Sequence, residues 1–208
     1  MQLATYFAVG SPTTLVYNVT AVSSSGVATL ASAGSDLATA GAGFLKTVPQ
    51  MKIQTGVDAN GSAADGQINL NFGSPWAFGA STSNTQYDFN STAMHELLHT
   101  LGFLSNTAAP GTNTGQIWTT FDRYLVTSDG TAVITDTYRW RAAYDANLTG
   151  GGGLYFGGPN AVAAYGGPVP LLTLEPWAPG RSVSHLDDNA FTGTGGMLMN
   201  STTVAGHG

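Results

Sequence analysis

The chain has 208 residues, 42% of them apolar and only 9% charged, against about a quarter charged in an average domain; it can bury one sizeable core, or two packed lobes sharing a cleft, and is too apolar for a disordered segment. A formal net charge of -6, with six Lys plus Arg and no basic stripe, excludes nucleic acid and an anionic membrane surface as partners. Cysteine is absent, which removes disulfide frameworks, thiolate metal sites and cysteine nucleophiles, so any metal must be held by His, Asp or Glu.

In chain order, "LATYFAV" (3–9) and "TLVYNVTAV" (14–22) are rich in β-branched and aromatic residues and are expected as strands. The Ala-rich stretch 26–48, ending before Pro49, is expected as a helix despite its glycines. "MKIQTGV" (51–57) and "QINLNF" (67–72) follow as expected strands around the turn "DANGSAADG" (58–66). That turn lacks the spaced acids and closing glutamate of a calcium loop, so a structural Ca2+ finds no support there and a plain turn is expected. The run "YDFNSTAMHELLHTLGF" is expected to form a helix of about three turns near residues 90–101, with Asp88, Asn90 or Ser91 as N-cap and Gly102 just past its end. Beyond it, 115–127 holds at least one short strand and 135–148 a short helix, and the Gly, Pro and aromatic residues of 150–196 leave an irregular, functional segment.

No fixed-period repeat is present, and no run reaches the roughly 18 apolar residues of a membrane span. The low charge and the Thr, Ser, Asn and Gly content point to a secreted protein, expected as a monomer, whose export signal has been trimmed. The sequons at Asn18, Asn90, Asn147 and Asn200 are read as chance matches in a Ser/Thr-rich chain.

On the central helix, Met94, Leu97, Leu98 and Leu101 fall on one arc at i, i+3, i+4, i+7 and are expected to be its buried face. His95 and His99 lie one turn apart on a neighbouring arc, with Cβ atoms about 5 to 6 Å apart, so both rings can reach one ion. Glu96 points about 100° further round, a position that suits a general base better than a ligand. The chain has only four His and two Glu, and His-Glu-x-x-His on a helix with an independent apolar stripe points to a zinc hydrolase rather than to incidental polar residues.

Such hydrolases need a third protein ligand. The position three residues past Gly102 is Ser105, and the other glutamate, Glu175, lies in "LEPWAPG", where prolines forbid a helix. His185 and His207 remain, and His185 is favoured by the apolar "GGMLMN" turn that follows it.

At this point "HTLGF", a long insertion, "SHLD" and then "LM" resemble, in that order, the leishmanolysin-like metzincins and related bacterial secreted peptidases, over roughly residues 68–202. The resemblance implies a zincin-like α+β fold over a single catalytic domain, 1–208. Its N-terminal lobe, 1–102, would carry a twisted mixed β-sheet and helices ending in the active-site helix, and its irregular C-terminal lobe, 103–208, the third ligand and the Met-turn. It further implies one catalytic zinc ion on His95, His99 and His185, Glu96 as general base, and Met199 as the Met-turn residue, with Met197 as runner-up. Leishmanolysins proper are cysteine-rich, and no tyrosine stands two residues after Met199, so a disulfide-free relative without a tyrosine ligand switch is expected.

The expected activity is zinc-dependent endopeptidase cleavage of extended protein or peptide substrates. "INLNF" is expected to serve as the cleft edge, Tyr165 to Trp177 as its lower wall, and Asp187 and Asp188 to orient ligands. The alternatives are a secreted binding or adhesion domain that retains the metal site without catalysis, and a zinc hydrolase acting on a non-peptide amide or ester.

Overall fold

The computed structural model describes residues 13–193 and 197–206. In chain order its elements are β1 (Tyr17–Val22), β2 (Ala31–Gly34), β3 (Gly43–Leu45), α1 (Val48–Thr55), β4 (Gly66–Asn71), β5 (Trp76–Ala77), β6 (Tyr87–Asp88) and α2 (Phe89–Thr100). There follow β7 (Ile117–Thr119), a 3-10 turn at Asp122–Tyr124, β8 (Leu125–Val126), a 3-10 helix at Ala142–Thr149, β9 (Leu154–Phe156), α3 (Pro159–Tyr165) and β10 (Val169–Leu171). The expected strand at 3–9 lies outside the described residues. Among those described, no helix is long and apolar enough to cross a membrane.

The chain divides into two compact units. The first comprises the described residues within Met1–Ala38, Lys46–Leu101 and Thr203–Gly208, and the second Thr39–Leu45 and Gly102–Thr202.

In the first unit β4 is the middle strand of a three-stranded sheet, parallel to β1 and antiparallel to β2. Ile68 and Leu70 of β4 are buried with Val48, Trp76, Ala77 and Met94, and α2 packs against β2 and β4. The central place of β4 overturns the expectation that "INLNF" forms a cleft edge, because both its hydrogen-bonding sides are taken; β2 is the edge strand that lies against α2.

Two other expectations fail here. The stretch 26–48 is not a helix: it forms β2, β3 and connecting turns, because Gly26 and Gly41 adopt φ of 81° and 106°, which a helix cannot continue through. "MKIQTGV" is not a strand but most of α1, whose start is written in the preceding "TVPQ". Thr47 accepts from the Gln50 N–H, the Gln50 side chain accepts from the Thr47 N–H, and a proline stands in the first turn.

The two acids of the turn 58–66 are paired within the chain. The Lys52 ammonium reaches Asp58 at 2.8 Å and both oxygens of the buried Asp65 at 3.1 Å, and Asp65 also accepts the Val16 N–H at 2.7 Å.

Thr47 has a second task. It is fully buried and its hydroxyl donates to the carbonyl of Thr100, the last residue of α2, at 2.7 Å. One side chain thus caps the start of one helix and the end of another. Thr47→Val keeps the shape but loses the N-cap, worth about 1 kcal/mol, and strands a carbonyl at a similar cost. Urea unfolding is expected to show a loss of about 2 kcal/mol, and a loss below about 0.5 kcal/mol would contradict this double role.

The second unit is built around Trp118, Phe121, Leu125, Val133, Ile134, Leu148, Leu154, Leu171 and Val183. Here β9 is the middle strand of an antiparallel sheet with β8 and β10, and β3 pairs in parallel with β7. The segment 150–196, expected to be irregular, therefore carries two strands and α3. The expected helix at 135–148 is confined to the 3-10 helix from Ala142, since Ile134 and Trp140 form a β-bridge before it.

Candidate metal centre

The helix α2 starts where Asp88 accepts the Ser91 N–H at 2.8 Å, the N-cap role foreseen for one of three candidates. It ends at Gly102, whose φ of 100° stops the helix. Its last turn is anchored to β1: the Thr100 hydroxyl donates to Leu97 O at 2.8 Å and accepts from the Tyr17 hydroxyl at 2.8 Å. Burial pushes the Tyr17 hydroxyl above its usual pKa, which keeps it protonated as that donor.

The buried face of α2 differs from the expected apolar arc. Met94 is buried, but Leu97, Leu98 and Leu101 are half-buried, whereas Thr92, Glu96, His99 and Thr100 are enclosed. Thr92, Glu96 and His99 follow the i, i+4, i+7 rule, so the helix turns a polar stripe inward. Enclosing such a stripe is costly unless it is used.

His95 and His99 bring their Nε2 atoms to 3.0 Å, the rings nearly perpendicular at 82°. Between them in sequence, Glu96 is 5% exposed, and its Oε2 is a buried oxygen without a protein hydrogen-bond partner among the described residues. Burial pushes its carboxyl up to about 7.

In the second unit His185 is 6% exposed. Its Nδ1–H donates to the Arg181 carbonyl at 3.0 Å, which in the neutral ring leaves Nε2 as the lone-pair nitrogen. The backbone on either side is held to its neighbours: His185 O accepts the Leu172 N–H, and Leu186 N–H donates to Met199 O, each at 2.9 Å. Met199 is buried at 5% exposure and Met197 lies open at 50%, and of the two it is Met199 whose backbone pairs with Leu186 beside His185. Asp188 binds Ser201 through both carboxylate oxygens, and Asp187 accepts the Asn189 N–H. Both acids thus brace local turns. His207 lies outside the described residues.

One nitrogen each of His95, His99 and His185 lies within 4.8 Å of the other two, and this group could hold a metal ion. Nitrogens bound to one tetrahedral ion at about 2.0–2.1 Å stand about 3.3 Å apart. The 3.0 Å between the two helix nitrogens is close to that value. Three imidazoles suit a divalent transition metal, zinc, copper, iron or nickel among them.

Sequence reasoning did not find Thr47, Tyr17, Ser105, Asp122 or Ser184 as supports of these segments. The signal for Asp122 was its isolation in the apolar run "IWTTFDRYLV", where a lone acid is costly unless its hydrogen bonds are supplied. No protein-family profile matches the chain, and no curated protein and no solved structure is significantly similar to it.

Proposed function

We propose that the chain is a zinc-dependent metalloendopeptidase of the metzincin type, with His95, His99 and His185 as ligands and Glu96 as general base. The observation that carries this reading is the approach of three imidazole nitrogens in a chain whose helix also buries a carboxylate oxygen with no hydrogen-bond partner among the described residues.

A zinc ion on these three rings supplies Lewis-acid polarisation of a carbonyl and makes water a nucleophile near neutral pH. The chain's own residues do the rest. The His185 Nδ1–H bond to Arg181 sets that ring's tautomer and direction. Glu96 takes the proton from the attacking water and passes it to the leaving amine, so the carboxylate ends as it began. An extended substrate would add to the sheet at the outer side of β2, which pairs with no further strand among the described residues, in place of the fully paired β4.

Phenanthroline is expected to abolish casein cleavage by the purified protein, and added zinc to restore it. Cleavage that persists at full rate in excess chelator would remove the metal from the reaction. Tight zinc binding with no cleavage of casein or of a peptide library would favour the binding-domain alternative.

A further inference from the structure

The turn that carries His185 is tied to a buried acid far upstream. Asp122 is 0% exposed. Its Oδ1 accepts the Ser105 hydroxyl at 2.6 Å, and its Oδ2 accepts the backbone N–H groups of Asn106 and Thr119 at 2.9 Å each. Burial pushes the Asp122 carboxyl up to about 6 against the pull of those donors, so at neutral pH it is an anion whose bonds tie the 105–106 loop to the end of β7. That loop hands the constraint on: the Ser105 N–H donates to Ser184 Oγ at 3.1 Å. Ser184 is 1% exposed and immediately precedes His185.

The turn needs such a tie. Val183, one residue earlier, is fully buried and has φ of 65°, a backbone region that β-branched residues rarely enter and keep only where the surroundings impose it. Its N–H is held by Leu172 O at 2.7 Å, which fixes one side of the strained residue, and Ser184 fixes the other.

We propose that Asp122 is a positioning residue for His185: through Ser105 and Ser184 it holds the strained turn so that the imidazole is pre-aimed at the metal. This rests on the reading of His185 as a zinc ligand. Loss of a partner that orients a ligand commonly weakens metal affinity by about 10- to 100-fold, and a role confined to folding would not.

The test is the zinc dissociation constant of the intact chain, measured by competition with a chromophoric chelator. Asp122→Asn and Ser184→Ala are expected to bind zinc about 10- to 100-fold more weakly than wild type. Ser184→Thr, which keeps the hydroxyl, is expected to stay near wild type, as is Val133→Ala, which thins the core it shares with Val183 but leaves every hydrogen bond of the turn in place. If Asp122→Asn does not fold, Ser184→Ala decides alone. Wild-type affinity in Ser184→Ala, with His185→Ala weakened, overturns the positioning role and spares the zinc reading. Equal weakening in Val133→Ala also overturns it, since the effect would then be stability alone. Should His185→Ala bind zinc as wild type does, the ligand assignment falls first and the positioning role with it.

Discussion

Glu96→Gln is expected to keep about one zinc ion per chain and to lose about a thousandfold in the rate of peptide hydrolysis, the middle of the range for a general base. The substitution preserves volume in a place that is 5% exposed and removes the oxygen that can take a proton. It spares the ligands, because the exchange leaves both imidazoles of α2 and their places on the helix unchanged. Stability should not suffer, since an enclosed carboxyl pushed up to about 7 gains little from being charged in the fold. Zinc content by atomic absorption and turnover of a quenched peptide separate the two effects. Undiminished turnover would take Glu96 out of the mechanism, and loss of zinc together with turnover would make it a ligand instead.

His185→Ala carries the second large effect. Two imidazoles from one helical turn leave a site open on two sides, and removing the third ring is expected to weaken zinc binding by more than about a hundredfold, beyond what a supporting residue costs. The fold should survive, because the backbone of this segment keeps its bonds to Leu172, Met199 and Pro170 when the ring's bond to the Arg181 carbonyl is lost. His207→Ala is expected to bind zinc normally. The reverse pattern, with His207 essential and His185 dispensable, would reassign the third ligand.

Local signals were legible in the sequence and long-range ones were not. The helix expected at 90–101 is α2 at Phe89–Thr100, because its cap, periodicity and terminal glycine all lie within a few residues of one another. "QINLNF" reads as a strand from its own alternation, but its place in the middle of a sheet depends on partners at 17–22 and 31–34. The Ala-rich stretch misled because helix propensity is weak where glycines must take left-handed φ. The start of α1 was written in "TVPQ" and was lost to the β-like look of the residues after it. Within the candidate site, the His95–Glu96–His99 spacing was local and readable. For His185 the pointers were "SHLD" and the "GGMLMN" turn after it, and they say nothing of the packing that holds it. The strain at Val183 and the bonds of Ser184 to Ser105 and of Ser105 to Asp122 are products of tertiary packing, and no periodicity encodes them.

The most direct test of the central claim is X-ray absorption at the zinc edge of the metal-loaded chain. The expected spectrum has three imidazole nitrogens and one oxygen at about 2.0–2.1 Å, the coordination of a catalytic site with one position left for solvent. A first shell with two imidazoles or fewer, or one of oxygens alone, would contradict the three-histidine centre.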